Sequence, residues 1–442
     1  MYKTLSAPLV VQVEISEKCP NRCLHCYNFW RRNDKKTKLV NMSLEKIDRV
    51  IDQLISHHVF HIVLTGGEPL LNKKVLFRAL EKFSENGLTS GINSSLFKLT
   101  ITDAERLKEL KVSVVLTSLI GPTAEIHDSI AQRQDAFKET IDGIRLLQKV
   151  GVPVDVNMVI SQKNKNLVRE TGLLVKSLGV NHFNSTRAGC PGNCPDFSEF
   201  SLSSNDFQSY LNDLYNFGQD EGMKVGILES YPLCAIKEAN RYRDFVGRRC
   251  LAGVTGATVA VDGNVRPCSH LDISYGNLFD EELNVIWEQM KDWRNGSLLP
   301  PICQSCKALP LCGGGCRMEA KMRNGSITAF DPYASPEDVP YVVSQLMTQE
   351  RKKLLELPNS FCLNPKARWR KEKDLSVIVF IGPRFACYLN KRGGELVENL
   401  STSKPYAISD LNGWFKEEEV ARKFLTKLFN QKILMYSASS GG

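Results

Sequence analysis

Fourteen cysteines are spread unevenly along the chain, and their spacing is the first feature able to do chemistry. In "EISEKCPNRCLHCYNFW" (14–30), Cys19, Cys23 and Cys26 form a C-x3-C-x2-C array directly after an apolar run. Three thiolates on a cubane iron–sulfur cluster leave one iron without a protein ligand. Such an open metal position can accept a chelating small molecule. A structural zinc site takes four ligands; His25 stands within the array, but so short a loop strains tetrahedral closure. A second set reads C-x12-G-x4-C (Cys250, Gly263, Cys268), then C-x2-C-x5-C-x3-C (Cys303, Cys306, Cys312, Cys316). Six cysteines on Gly- and Pro-rich loops could bind zinc, since Cys303-x2-Cys306 alone would suit a ribbon. Cys190 and Cys194, in "RAGCPGNCPD", stand as ligands, a redox pair or bystanders, and Cys362 and Cys387 read as core residues.

These loops need a scaffold. From residue 9 to about 186, strand-like and helix-like stretches alternate. The strand candidates are "LVVQVEI" (9–15), "FHIVLT" (60–65), "LTSGIN" (88–93), "VSVVLTSL" (112–119), "VPVDVNMVIS" (152–161) and "VNHFNST" (180–186). Between them lie amphipathic stretches at 43–58, 74–87, 101–110, 136–151 and 166–179. In the first of these, Leu44, Ile47, Val50, Ile51, Leu54 and Ile55 share a face and Ser43 is the expected N-cap. Steps of roughly thirty residues are the size of one right-handed βαβ unit. Six of them predict an α/β fold, a partial (β/α)6 barrel of the TIM type, with reactive loops after the strands' C-terminal ends. The three-cysteine loop follows the first strand.

The array followed by an aromatic residue, Cys19, Cys23, Cys26 and Tyr27, resembles the radical S-adenosylmethionine (SAM) superfamily. In that family SAM chelates the open iron and is cleaved reductively, and the resulting 5′-deoxyadenosyl radical abstracts hydrogen from substrate. "LTGGEPLL" (64–71) follows the second strand candidate, where the family has its GGEP motif; Gly66, Gly67, Glu68 and Pro69 match it. The resemblance also implies SAM-pocket positions at Asn93 (with Ser94), Ser118, Asn157 and Arg187, although Ile120 replaces the usual Asp after Ser118. The second cysteine set is similar to the SPASM extension of radical SAM peptide maturases, which carries auxiliary [4Fe–4S] clusters. That likeness assigns Cys250, Cys268 and Cys316 to one cluster and Cys303, Cys306 and Cys312 to another. The cysteine expected after Cys316 is missing, because "FDPYASPE" offers Ala334 there. The second cluster then has an open iron or a non-Cys ligand, with Asp331 a candidate, and Cys234 is the candidate fourth ligand of the first.

The stretch 361–436 resembles the small winged-helix peptide-recognition domain, also found as the pyrroloquinoline quinone peptide chaperone. A hairpin "SVIVFIG" (376–382) and "FACYLN" (385–390) and a closing helix at 417–434 carry the likeness. In that family a leader peptide adds as a further strand, which places Phe385, Ala386, Cys387 and Tyr388 on the docking edge. The basic run Lys366–Lys373 attracts acidic leader residues on this reading, or is a solvated face. The expected divisions are 1–186 barrel, 187–249 connector, 250–338 cluster domain ordered by ligation, 339–360 linker helix, 361–436 recognition domain and 437–442 tail.

A net charge of +8 on 442 residues suits an anionic cofactor or acidic peptide and argues against nucleic acid as partner. No apolar run reaches membrane-spanning length and no export signal is evident, so a cytoplasmic location and no membrane partner are expected. The resemblance implies a maturase that installs an oxidative carbon–carbon, ether or thioether cross-link in a ribosomal precursor peptide. It needs SAM, three [4Fe–4S] clusters and an electron donor such as flavodoxin or ferredoxin. A sulfatase-type maturase or a peptide epimerase are alternatives in the same superfamily. A zinc-bearing scaffold or winged-helix regulator is the alternative of another class.

Overall fold

The computed structural model describes residues 4–28, 38–190, 195–242, 248–341, 358, 360–382, 385–411 and 413–436. Two units divide the chain, Met1–Gln349 and Glu350–Gly442.

The first unit is built on one sheet. Its strands are β1 (Val10–Ser16), β2 (His61–Gly66), β3 (Thr89–Asn93), β4 (Val114–Ser118), β5 (Val154–Ile160), β6 (His182–Arg187), β7 (Lys224–Ile227), β8 (Gly256–Val259) and β9 (Val265–Arg266). They lie in the order β7-β6-β5-β4-β3-β2-β1-β8-β9. Strands β1 to β7 are parallel neighbours in chain order. The crossovers include α1 (Leu44–Ser56), α2 (Lys73–Glu85), α3 (Ile101–Glu109), α4 (Ala124–Ala131), α5 (Ala136–Val150), α6 (Val168–Ser177) and α7 (Ser204–Glu221). Val11, Val13 and Ile15 alternate along β1 and form its fully buried apolar face. On α1 the face Ile47, Val50, Ile51 and Leu54 packs inward, and the Ser43 hydroxyl caps the helix by accepting from the Lys46 N–H at 3.2 Å. Leu44, expected on that face, is exposed.

Six strand–helix steps are present as expected, and the sheet goes further. The stretch 187–249 contains α7, closed by a Ser203/Asp206 capping box and Gly222, and contributes β7. On the other edge, β8 pairs parallel with β1, and β9 pairs antiparallel with β8. The expectation that ligation alone orders the Cys-rich stretch is corrected. Val259, Val265, Leu283, Ile286, Trp287 and Met290 are buried in the same core as the strands. Their elements are too short to show a period in the sequence, which is why the core was invisible there. Helix α4 lies between the fourth strand and α5, in a stretch assigned to no element. Of the linker helix expected at 339–357, only the start falls within the described residues.

In the second unit, β10 (Phe361–Leu363) pairs antiparallel with β14 (Leu434–Tyr436). Strands β11 (Arg368–Lys371), β12 (Val377–Gly382) and β13 (Phe385–Leu389) form an antiparallel sheet with β12 in the middle. Helices Lys391–Asn399 and Glu418–Asn430 complete a core of Val377, Val379, Leu396, Leu425 and Leu428. The closing helix stops at Asn430, short of the expected 434, and Lys432 takes a positive φ that turns the chain into β14. The basic run is β11 and not a uniformly solvated face: Arg370 is buried against Glu372 at 2.9 Å.

Trp287 is buried, and its indole N–H donates to the Leu5 carbonyl at 2.8 Å. Trp287→Ala should destabilise the chain by about 3–5 kcal/mol, read from equilibrium denaturation.

Candidate functional site

The loop that carries Cys19, Cys23 and Cys26 leaves β1 at the C-terminal edge of the sheet, and all three thiols are half-buried. The backbone of this loop is fixed from two sides. Arg22 and Leu24 donate their N–H groups to the last carbonyls of α4, Ala131 at 3.0 Å and Ile130 at 2.9 Å. On the other side, Gly67 and Glu68 donate to the Ser16 and Lys18 carbonyls at 2.6 and 2.8 Å. The glycines therefore serve a close approach, but to the thiol loop itself. A Cβ at Gly66 would lie 2.2 Å from the Ser16 carbonyl oxygen, and one at Gly67 2.2 Å from that of Lys18. Gly66 also has φ of +134°, which side chains rarely adopt. Asn28, not singled out from the sequence, donates its amide to the Gly66 carbonyl at 2.9 Å.

Glu68 is fully buried, and its carboxylate is engaged by the chain. It accepts from the Leu70 N–H and Ser94 hydroxyl on one oxygen, and from the Ser95 N–H and hydroxyl on the other, all at 2.6–3.0 Å. Burial raises its pKa, and these donors partly offset the rise. Through these bonds Glu68 fastens the loop after β3 to the turn after β2. Pro69 is buried at the start of the following turn. Asn93 and Ser118 are the last residues of β3 and β4, on the same edge as Ser16 and Gly66. Asn157 lies mid-strand in β5, beside Ser118 in register, and accepts from the Thr186 hydroxyl at 3.0 Å.

Tyr27 stacks on His270 with ring centroids 4.2 Å apart. This joins the thiol loop to the segment after Cys268. Beneath the stack, the buried pair Glu14–Arg266 spans 2.5 Å between β1 and β9. Arg266 also donates to the Ser269 and Leu271 carbonyls at 3.2 and 3.0 Å, setting the loop that follows Cys268. Burial pushes Glu14 up to about 7, with Arg266 opposing. His270 is pushed down to about 4 by burial, with the charge on Arg266 adding, so its ring is neutral near pH 7. Cys250, Cys268 and Cys316 lie together: the Cys250 thiol raises both partners' pKa values electrostatically, on top of burial, which takes Cys268 to about 11.

Arg187, at the end of β6, is not an open pocket residue. It is wholly buried, paired with Asp331 at 2.7 and 3.2 Å and with Glu229 at 2.7 Å, and its guanidinium lies over the Tyr231 and Tyr333 rings. Asp331, expected as a substitute ligand, spends both oxygens on Arg187 and also accepts from the Cys316 and Tyr333 N–H groups at 2.8 and 3.1 Å. Glu229, pushed up to about 8 by burial, and Glu319, which accepts from the Cys190 N–H at 2.7 Å, complete a buried charged cluster. Sequence reading missed both, as it missed the role of Arg266; only Glu229, in the apolar stretch "VGILESYPL", carried a local signal. Cys234 is also displaced from its expected partners. It lines one cavity with Cys303, Cys306 and Cys312, and not with Cys250, Cys268 and Cys316. Cys194 falls outside the described residues. Among the described residues no three Cys, His, Asp or Glu side chains converge to hold a single metal ion.

In the second unit, β13 pairs only with β12, so one of its edges is open among the described strands. Cys387 faces the core, Ala386 is exposed, and Tyr388 is tied by its hydroxyl to Asp374 at 2.6 Å. Phe385 pairs with Gly382 through the backbone. Cys362, on β10, is half-buried.

Residues 13–173 match the model of the Radical SAM superfamily, and residues 250–307 match that of SPASM, an iron–sulfur cluster-binding domain. The chain thus carries a Radical SAM domain and a SPASM domain, which makes it a radical SAM enzyme and implies SAM and iron–sulfur clusters as cofactors. An AdoMet-dependent heme synthase of Methanosarcina barkeri is 24% identical over 75% of this chain and 98% of its own length. A PqqA peptide cyclase of Ruegeria pomeroyi is 24% identical over 78% of this chain and 91% of its own. The structure of Streptococcus suis SuiB bound to precursor peptide SuiA shares the fold at a TM-score of 0.60, with 15% identity, 75% of this chain and 76% of that one.

Arg266→Met would leave Glu14 buried without its partner, an expected loss of about 3–5 kcal/mol in denaturant unfolding. The folded Glu14 value of about 7 lies above the ordinary 4.5. This group's contribution therefore falls as pH rises from 4.5 towards 7. Glu14→Gln should reduce that slope in stability measured against pH.

Proposed function

We propose that this enzyme forms an oxidative cross-link, carbon–carbon, ether or thioether, in a ribosomally made precursor peptide. The observation that carries the reading is the three-thiol loop pinned at the sheet's C-terminal edge, beside a second thiol-rich segment, in a chain with a separate unit ending in an open strand edge. Three half-buried thiols without a fourth on the loop fit a cubane with one iron left for the amino and carboxylate groups of SAM. Bound there, cluster and cofactor supply reductive sulfonium cleavage and hydrogen-atom abstraction.

The chain's own residues do the rest. Gly66–Pro69 seat the thiol loop and offer backbone groups to SAM, with Tyr27, Asn93, Ser118 and Asn157 around it. Cys250, Cys268 and Cys316, and separately Cys303, Cys306 and Cys312, would hold two auxiliary clusters, which would supply an acceptor for an electron from the substrate. Flavodoxin or ferredoxin supplies the electron for SAM cleavage. In the second unit, a leader peptide pairs with β13 along Phe385–Tyr388, gaining backbone hydrogen bonds. The likeness to a peptide cyclase and to the fold of SuiB supports a peptide substrate. The heme synthase likeness favours a second reading, chemistry on a small molecule.

Replacing Cys19, Cys23 and Cys26 together by Ala should abolish 5′-deoxyadenosine formation while leaving auxiliary iron in place. Wild-type turnover by that variant would refute the reading. Proline substitutions along Ala386–Tyr388 should weaken leader binding in calorimetric titration, by about tenfold or more, and spare SAM cleavage. Unchanged affinity removes the role given to β13.

A further inference from the structure

Cys303, Cys306 and Cys312 come from one short stretch, but the cavity they line has a fourth cysteine from elsewhere. Cys234 sits in the one-turn helix Leu233–Ala235, after β7, and lines the same cavity. This turn is fastened to the cysteine stretch: the Leu233 N–H donates to the Cys312 sulfur at 3.3 Å. The Cys234 thiol is close enough to Cys312 and Cys303 to sense their charge, and it reaches the Ser335 backbone. Ala334, where the resemblance expects a cysteine, lines the cavity too. The remaining wall is apolar, with Ile302, Leu309 and Phe330 contributing. An apolar chamber ringed by sulfur suits a group bound through thiolates alone. The other substitute, Asp331, has both oxygens committed to Arg187 and to backbone N–H groups.

We propose that Cys234 is the fourth thiolate of the cluster held by Cys303, Cys306 and Cys312, replacing from another part of the chain the cysteine absent at Ala334. This rests on the reading that these three cysteines bind a cluster. Four thiolates leave no iron open, so this centre carries electrons and does not bind substrate.

The test uses the full chain, reconstituted without oxygen, with iron and sulfide assays and Mössbauer and paramagnetic resonance spectra. Replacing Cys303, Cys306 and Cys312 together by Ala should remove about four irons per chain relative to the parent. Cys234→Ala should lose about one more iron per chain than the parent on mild oxidation, with a three-iron signal. Adding Ala334→Cys to Cys234→Ala should restore the parent's iron content and spectrum, which a merely structural role for Cys234 would not allow. If the triple variant loses its cluster while Cys234→Ala matches the parent, the inference falls and the cluster reading stands. A loss in Cys234→Ala that Ala334→Cys leaves unrestored also overturns it. A triple variant that retains the parent's iron removes the cluster and the inference together.

Discussion

Two peptide hydrogen bonds, from Gly67 to Ser16 and from Glu68 to Lys18, hold the three-thiol loop against the turn after β2. Everything chemical in the first unit is organised around that seat. It exists only because neither glycine carries a side chain where the two backbones meet. It stays in place because Glu68 is locked to Ser94 and Ser95, so that the turns after β1, β2 and β3 move as one piece. Burial makes this carboxylate costly to ionise and its four donors offset part of that cost, so disturbing it would leave buried polar groups unpaired.

Buried charge fastens the thiol-rich segment in the same way. Glu14–Arg266 ties β9 and the loop after Cys268 to β1, and Arg187–Asp331 ties the backbone of Cys316 to the end of β6. Each pair trades solvation for geometry: breaking either leaves a charge stranded in the core. The Tyr27–His270 stack lies over the first of these ties and brings the two cysteine regions into direct contact.

Much of this was legible in the sequence. Strand and helix alternation is a periodic signal, and it located β1 to β6 together with α1, α2, α3, α5 and α6. The cysteine loops and Gly66–Pro69 were legible because ligation and tight backbone approach restrict residue type. What was hidden depends on long-range partners. Nothing local marks Arg266 as the partner of a glutamate at position 14, nor Asp331 as the partner of Arg187 and not a ligand. The short strands β8 and β9 had no period to display, so a real apolar core was taken for a segment held by metal alone. Cys234 was recognised as a thiol of interest, but its neighbours were misjudged because spacing along the chain says nothing about which cavity a distant turn enters.

Strand β8 is hydrogen-bonded in parallel to β1, which places the SPASM segment inside the same sheet as the strand that leads into the three-thiol loop. Adjacent strands stand about 4.8 Å apart whatever the sequence around them. Strand β8 stands between β1 and β9, so the two strands are held about two such spacings apart within one hydrogen-bonded sheet. Electron tunnelling between centres mounted on the loops leaving β1 and β9 would have one distance, built in when the chain folds, and its timing would be governed by the occupancy of the centres and not by domain motion.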